Sequence, residues 1–255
     1  MKRIAIYGKG GIGKSTVVTN LSAALAESGL SVMQIGCDPK SDSTVGLQNG
    51  NMIPTVMRRI LENRENTCLE DIVFRGDFGV ACVEAGGPRP GMGCAGRGII
   101  SAFEKLEELR AFEVYQPDVV LYDVLGDVVC GGFALPIRKG YAQSVCIVTS
   151  GEKMSLYAAG NILEAVRAFG TRGYASVGGL IVNRKNIPNE EEIVQSWARE
   201  HAVEILGIIP RSPLVQQAEE RCSNVMRQFP DSPLADAFRV LAQAVTRERE
   251  ADHGI

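Results

Sequence analysis

Residues 8–15 read Gly8-Lys9-Gly10-Gly11-Ile12-Gly13-Lys14-Ser15, and this stretch decides the fold. It fits G-x-x-x-x-G-K-[ST], in which backbone N–H groups surround phosphate oxygens, the lysine adds a cation and the hydroxyl reaches Mg²⁺. An apolar run at residues 4–7 precedes the loop, and a helical pattern beginning at Thr16 follows it. The helix start favours an anion. A flexible glycine turn would not explain why Lys14 and Ser15 are both in place, so residues 8–16 predict a nucleotide-phosphate site.

A second lysine, Lys9, stands near the start of the loop. Such a lysine is typical of the deviant P-loop ATPases, whose members usually dimerise face to face. It comes too early in the loop to wrap the phosphates of its own chain as Lys14 does. We therefore expect Lys9 to reach the phosphates held by an opposite subunit; the alternative is a solvated charge on a loop.

The bulk composition is that of an ordinary globular protein. The chain has 255 residues, of which 45% are hydrophobic and 22% charged, with a net charge of −3. This charge gives no general attraction to nucleic acid or to an anionic membrane, so neither partner is expected. No apolar run approaches the length of a membrane span, and the N-terminal run is too short for a signal peptide. We expect a cytoplasmic protein whose 7 cysteines are thiols, some of them ligands.

The alternation of patterns predicts an α/β fold. Apolar, β-branched runs recur at residues 4–7, 31–35, 80–83, 119–122, 144–148, 177–182 and 203–208. Apolar residues at helical spacing follow at residues 16–27, 99–109, 156–169, 191–201 and 234–246. Such alternation predicts βαβ units, and thus a mostly parallel sheet flanked by helices. Without a repeat or a linker, residues 1–255 are predicted to form a single P-loop NTPase domain.

Acidic residues follow two of the predicted strands. Asp123 ends the run 119–122, where a Walker-B acid meets the Mg²⁺ shell, and Gly126 and Asp127 come next. Gly126 is placed to swing as the γ-phosphate comes and goes, and Asp127 to orient the attacking water. The segment 36–44 follows the second strand and suits a sensor of Mg²⁺ and γ-phosphate. The alternatives are a helix cap at Asp123 and an Asp-Pro turn with a helix cap in the segment 36–44.

Two cysteines differ from the rest in context. Cys94 and Cys130 both stand among glycines, which allow the backbone to approach a bulky group and to donate N–H bonds to sulfide. A [4Fe–4S] cluster takes four thiolates, so two chains related by a two-fold axis would supply the set. The alternative is a structural loop with incidental thiols. Core thiols are expected for Cys82, Cys146 and Cys222.

Taken together, the motifs resemble those of the nitrogenase iron protein family, which includes reductases of chlorophyll and coenzyme F430 biosynthesis and of methylthio-alkane reduction. The resemblance runs from residue 2 to about residue 220, and its motifs lie at residues 8–15, 38–44, 84–88, 93–98 and 122–133. It implies a homodimer that bridges one [4Fe–4S] cluster through Cys94 and Cys130 of each subunit, and MgATP in each subunit. Hydrolysis would be tied to one-electron transfer to a separate nitrogenase-like catalytic component. A low-potential ferredoxin or flavodoxin would be the electron donor.

The resemblance also implies roles for individual residues. Lys9, Asp38 and Asp127 would serve hydrolysis, with Ser15 on Mg²⁺. Nucleoside contacts would come from Asn183, Pro210, Arg211 and the stretch from Gln216 to Glu219. Arg97 occupies a position that nitrogenase-type members can have ADP-ribosylated, and we expect it to meet the partner protein beside the cluster.

The C-terminal end departs from the family pattern. The chain stops sooner than typical nitrogenase iron proteins, which carry a longer acidic tail, and residues 184–200 and 222–255 diverge. The tail is rich in arginine and alanine, which favours a methylthio-alkane reductase-type system over true nitrogenase. The alternatives are a nitrogenase iron protein proper, a tetrapyrrole reductase component, or a cluster-free partitioning ATPase of the ParA/MinD type. An iron–sulfur scaffold would show a C-x-x-C pair, which the sequence lacks.

Overall fold

The computed structural model describes residues 1–87, 95–126, 141–171 and 174–247. Its eight strands are β1 Lys2–Gly8, β2 Val32–Gly36, β3 Phe74–Arg75, β4 Ala81–Glu84, β5 Val119–Asp123, β6 Ser144–Thr149, β7 Ser176–Asn183 and β8 Ile205–Ile209. They form one sheet in the order β3-β4-β2-β5-β1-β6-β7-β8. Every pairing is parallel except that of β3 with β4. The predicted α/β class with a mostly parallel sheet is confirmed.

Helices cover both faces of this sheet. They are α1 Lys14–Glu27, α2 Val56–Asn63, α3 Ala95–Glu108, α4 Ala111–Tyr115, α5 Lys153–Gly170, α6 Glu190–Glu200, α7 Pro213–Glu220, α8 Val225–Gln228 and α9 Pro233–Thr246. Side chains alternate along the central strands: Ala5 and Tyr7 of β1 pack with α2–α6, whereas Ile4 and Ile6 pack with α1 and α7–α9. Buried parallel strands have apolar residues on both faces, which explains the continuous apolar runs of the sequence.

The elements absent from the sequence prediction are β3, α2, α4, α7 and α8, each of at most eight residues. Strand β3 has only two residues, too few to show a period. Helices α7 and α9 both begin with a Ser-Pro pair in which the serine side chain accepts a backbone N–H: Ser212 from Leu214, and Ser232 from Ala235. Serine at the cap and proline at the first helical position satisfy the free end of a helix. Among the described residues, no helix is long and apolar enough to cross a bilayer.

The sheet gathers the polar residues of the sequence motifs at one edge. Parallel strands end at the same edge, so Gly8, Gly36, Glu84, Asp123 and Asn183 all lie there. The phosphate loop follows β1, which lies between β5 and β6. At this point the strand order reverses: β2 to β5 lie on one side of β1, and β6 to β8 lie on the other. Ligands of open α/β sheets bind at such a point.

Candidate functional site

The phosphate loop is held against its neighbours by glycines. A Cβ added at Gly8 would lie 2.4 Å from the carbonyl oxygen of Val148, so only glycine lets the loop leave β1 beside β6. Gly13 caps α1 with φ 96°, a left-handed conformation that favours glycine. Ile12 closes the turn by donating its N–H to the carbonyl of Lys9 at 3.1 Å. The loop residues 8–13 therefore lead directly into a helix N-terminus, as phosphate binding requires.

A cation, a hydroxyl and a carboxyl group meet behind this loop. Lys14 is buried, with 9% of its surface exposed, and Ser15 forms a hydrogen bond to the carboxyl group of Asp123. The positions of Ser15 and Asp123 agree with the expected site for Mg²⁺ beside a phosphate. Thr16, the last residue of the predicted set, opens instead onto a neighbouring cleft.

The segment 36–44 lies against the same carboxyl group. Ser43 donates its hydroxyl to Oδ2 of Asp123 at 2.8 Å, and Cys37 donates its backbone N–H to the carbonyl of Asp123 at 2.9 Å. The side-chain amide of Gln34 holds Ser43 in place by donating hydrogen bonds to its carbonyl oxygen at 2.8 Å and to its hydroxyl oxygen at 3.0 Å. Asp38 is partly exposed, and its Oδ1 accepts the backbone N–H of Lys40 at 2.9 Å. Through Asp123, the segment 36–44 therefore lies beside the phosphate loop, although β5 separates β2 from β1 in the sheet.

Burial dominates the electrostatics of Asp123. It raises the pKa of this carboxyl group, although the hydrogen bonds from Ser15 and Ser43 and the charge of Lys14 act in the opposite direction. Burial also raises the pKa of the Cys37 thiol far above its usual value, with Asp123 as a further cause. Cys37 is therefore an unreactive buried thiol, and Asp123 is a carboxyl group on which a metal ion would favour the charged form.

A cleft of about 840 Å³ opens beside the loop, on the side of β7 and β8. Five of the residues assigned by resemblance to nucleoside contacts line it: Asn183, Pro210, Arg211, Gln216 and Glu219. Asn183 donates its side-chain amide to the carbonyl of Ile12 at 2.7 Å, which joins the cleft to the phosphate loop. The cleft is large enough for a nucleoside, and its position next to Gly13 suits one whose phosphates lie in the loop.

Glu190 was not predicted from the sequence, and it holds two of the residues that line this cleft, Lys185 and Asn186. Its buried carboxylate accepts backbone N–H bonds from Gly151 at 3.1 Å, Lys185 at 3.0 Å and Asn186 at 2.8 Å. These bonds lower its pKa in spite of its burial, which raises it. The N–H donors come from the loops after β6 and β7, and Lys185 and Asn186 line the cleft. A run of three glutamates at 190–192 carries no sign that its first member is buried.

The residues predicted to hold the cluster lie outside the described part of the chain. Cys94, Cys130 and Asp127 fall in the ranges 88–94 and 127–140, and the side chain of Arg97 is not described although its backbone belongs to α3. Among described residues, no three His, Cys, Asp or Glu side chains form a group that would hold a metal ion. Cys82 and Cys146 are buried as expected, but Cys222 is exposed in the turn after α7.

The donor chemistry fits both implied cofactors. The hydroxyl of Ser15 and the buried carboxyl group of Asp123 suit MgATP, because hard oxygen ligands suit Mg²⁺. Thiolates suit iron–sulfur clusters, and Cys94 and Cys130 are the two thiols of the chain set among glycines.

Comparison with known proteins places the chain in a family. Residues 2–252 match the family described as 4Fe-4S iron sulfur cluster binding proteins, NifH/frxC family. A nitrogenase iron protein of Methanospirillum hungatei is 56% identical over 96% of this chain and 88% of its own length. Nitrogenase iron protein 2 of Paenibacillus durus is 47% identical over 98% of this chain and 86% of its own length.

Solved structures with a similar fold are more distant in sequence. MinD in the MinC:MinD cell division complex of Aquifex aeolicus superposes with a TM-score of 0.75 at 21% identity, covering 98% of this chain and 97% of that one. A ParA family ATPase from Chlorobium tepidum superposes with a TM-score of 0.71 at 18% identity, covering 96% of this chain and 98% of that one. At these identities the likeness shows the P-loop ATPase fold alone. The sequence match over residues 2–252 shows that the chain belongs to the NifH/frxC family of [4Fe–4S] cluster-binding proteins.

Proposed function

We propose that the chain is the ATP-dependent reductase component of a two-component, nitrogenase-like system, with all of its sites in one domain formed by residues 1–255. The observation that carries this proposal is the position of Asp123. Its carboxyl group lies at the phosphate loop, bonded to Ser15, and Cys130 follows seven positions later in the same chain segment. A short covalent link therefore joins the nucleotide site to a predicted cluster ligand.

The family uses two cofactors, a [4Fe–4S] cluster that bridges a homodimer, and MgATP. In our proposal Cys94 and Cys130 of each subunit hold the cluster, which when bound supplies a one-electron carrier of low potential. Lys14, Ser15 and the N–H groups of residues 10–14 bind the triphosphate and Mg²⁺. Lys9 reaches across the dimer, and Asp38 and Asp127 orient the attacking water.

Coupling between the two sites would pass along the residues that follow β5. Gly126 has φ 81°, a conformation that glycine adopts without strain, so the chain can change direction there. Contacts of the γ-phosphate at Gly126 and Asp127 would shift the segment that carries Cys130, as switch segments of other NTPases order and relax. The chain would thereby convert hydrolysis into a change of position at the cysteine.

The catalytic partner is the finer part of the proposal. The composition of residues 222–255 favours a methylthio-alkane reductase-type partner, whereas the relatives at 45–56% identity carry the name nitrogenase iron protein, which supports a nitrogenase partner. Arg97 would contact this partner beside the cluster, and a ferredoxin or flavodoxin would supply the electron. The cluster-free ParA/MinD-type alternative is not favoured, because the matching family binds a cluster.

Anaerobic purification tests the proposal directly. We expect a brown homodimer with about four irons per dimer, which hydrolyses ATP. In the presence of a nucleotide analogue that arrests the complex, the catalytic component should co-purify, and its mass identifies it. A colourless protein with full ATPase activity would reject the reductase function and favour a partitioning ATPase.

A further inference from the structure

The carboxyl group of Glu84 is buried at the edge of the nucleotide site and has no role in the proposed hydrolysis. Glu84 is the last residue of β4 and has 0% of its surface exposed. Its Oε1 accepts two bonds from Thr44, from the backbone N–H at 2.7 Å and from the hydroxyl at 2.8 Å. Its Oε2 is buried and has no hydrogen-bond partner within the described part of the chain. Because a half-satisfied buried carboxyl group is costly, its presence calls for an explanation beyond packing.

Glycine at position 36 makes room for this carboxyl group. Gly36, the last residue of β2, is in register with Glu84 on one side and with Asp123 on the other. A Cβ added at Gly36 would lie 2.0 Å from Oε2 of Glu84. Glu84 therefore lies directly over the first residue of the segment 36–44, and its bonds to Thr44 hold the end of the same segment.

The chain beyond Glu84 rests on this segment a second time. A Cβ added at Gly87 would lie 2.9 Å from Cβ of Pro39, and one added at Gly98 would lie 3.0 Å from Cα of Gly87. Gly87 and Gly98 thus touch each other, one before and one after Cys94 in the sequence. Gly87 and Gly98 flank the stretch that carries Cys94. Gly87 packs against Pro39, which follows Asp38, and Gly98 packs against Gly87.

We propose that Glu84 is a positioning residue that couples the nucleotide-sensing segment 36–44 to the stretch carrying Cys94. The inference rests on the proposed function and adds to it a second connection from nucleotide to cluster. One connection follows β5 from Asp123 to Cys130, and the other follows β4 from Glu84 towards Cys94. The two meet in the segment 36–44, where Ser43 bonds Asp123 and Thr44 bonds Glu84.

The buried bonds give this coupling its strength. If the segment moves towards a bound γ-phosphate, Glu84 either moves with Thr44 or leaves a buried acceptor without its donors, which is unfavourable. These bonds are kept when β4 and the residues that follow it shift together with the segment 36–44. In each chain of a dimer, nucleotide binding would then act on Cys94 as well as on Cys130.

The test measures how nucleotide changes access to the cluster in the intact, cluster-loaded dimer. An iron chelator such as bipyridyl removes iron, and its rate is compared with and without MgATP in wild type, Glu84→Leu and Glu84→Gln. In wild type, MgATP should accelerate iron removal. In Glu84→Leu, which lacks an acceptor for Thr44, this acceleration should be smaller by a factor of about five or more. Glu84→Gln should keep most of the response, because an amide oxygen accepts the same bonds. Hydrogen–deuterium exchange of residues 84–87 and 95–102 should lose its nucleotide dependence in Glu84→Leu alone.

Thr44→Val removes one of the two bonds, and Thr67→Val is the matched control, because Thr67 is a buried threonine whose hydroxyl bonds Arg59 and Arg64 away from the site. Thr44→Val should weaken the response in part, and Thr67→Val should leave it unchanged. A normal MgATP response in Glu84→Leu, or in Thr44→Val if Glu84→Leu does not fold, would overturn the inference while the proposed function stands. A wild-type protein without cluster, or without any MgATP response, would overturn both.

Discussion

Glu84 and Asp123 occupy equivalent places in the fold but have different surroundings. Both end a parallel strand, both are in register with Gly36, and both are buried. Asp123 has two hydroxyl donors and the nearby charge of Lys14. Within the described part of the chain, Glu84 accepts hydrogen bonds from Thr44 alone, and its Oε2 has no partner. Burial raises the pKa of Glu84 to about 7, and the charges of Asp123 and Asp42 add to the effect.

The difference shows how one geometry supports two kinds of chemistry. A carboxyl group surrounded by hydroxyls and a cation is suited to a metal ion, while one with fewer donors binds a proton near neutral pH. Each strand continues towards one predicted cluster ligand, Asp123 to Cys130 and Glu84 to Cys94. The following experiments test whether the two strand ends act separately or as one site.

The largest effect is expected for the two predicted cluster ligands, towards which β4 and β5 continue. Cys94→Ser and Cys130→Ser should each reduce iron from about four per dimer to near zero, because each removes two of the four thiolates. Cys68→Ser is the matched control, since Cys68 is exposed and its bond to Asp71 suits a hydroxyl equally well. Iron analysis of anaerobic protein gives the answer. Retention of a full cluster in either of the first two variants would contradict the shared ligation.

Neutralising each carboxyl group should separate their roles in hydrolysis. Asp123→Asn should lower the rate of ATP hydrolysis by about 10²–10³-fold, because an amide cannot replace an anion beside Mg²⁺. Glu84→Gln should hydrolyse ATP at close to the wild-type rate, since it keeps the acceptor for Thr44. Phosphate release at saturating MgATP is the measurement. Equal losses in the two variants would mean that the carboxyl groups form a single catalytic unit.

Adding a methyl group at Gly36, between Glu84 and Asp123, should destabilise the fold. Gly36→Ala places its Cβ against Glu84, and such overpacking costs about 2–3 kcal/mol, or a fall of about 4–12 °C in Tm. The double variant with Glu84→Ala should recover part of the loss, because the clashing group is gone. Gly160→Ala is the control: the added Cβ has only an ordinary contact of 3.7 Å with Trp197, and alanine favours helix α5. A Gly36→Ala protein as stable as wild type would refute the close approach.

A final effect, of similar size, is a pH dependence of stability that arises from Glu84. Its pKa is raised from 4.5 to about 7 in the folded chain, so the folded state binds the proton more tightly than the unfolded one. The resulting stabilisation is complete below about pH 4.5 and is lost as the pH rises through 7. Glu84→Gln does not titrate, so wild type should lose on the order of 2–3 kcal/mol relative to it between pH 5 and 8.

Urea unfolding of both proteins without nucleotide, at equal protein concentration, measures this difference. Asp123 titrates in both proteins, so the effect of its own burial is common to the two profiles, and the difference between them reports Glu84 together with its coupling to Asp123. Parallel pH profiles for wild type and Glu84→Gln would show that Glu84 stays charged in the fold.

Much of the fold was predictable because its signals are local. Seven of the strands were predicted from apolar runs, and they lie within about two residues of their observed bounds. Among the helices, α1, α6 and α9 lie within about two residues of their predicted bounds. Helices α3 and α5 begin three to four residues earlier than predicted, and α2, α4, α7 and α8 were not predicted. Helix α7 begins after a Ser-Pro cap, which is a local signal for a helix start. The spacing of apolar residues does not include this signal.

The candidate site divides in the same way. The phosphate loop, Asp123 and the segment 36–44 were found from motifs, and the described residues Asn183, Pro210, Arg211, Gln216 and Glu219 line one cleft. Glu190 was missed, and Glu84 was noted only as part of a motif, without a role. Thr44 is 40 positions from Glu84, and Gly151 is 39 from Glu190, so no local pattern connects the partners.

The sequence by itself determined the phosphate loop, the order of seven strands and of the five longest helices, and the family, because these depend on residue types at fixed short spacings. Only the tertiary structure decided which carboxyl groups are buried and which donors face them. Parallel strands bring Gly36, Glu84 and Asp123 into register although the chain between them is long. Burial then sets their charge, since a carboxyl group removed from water depends on the few partners that the fold provides.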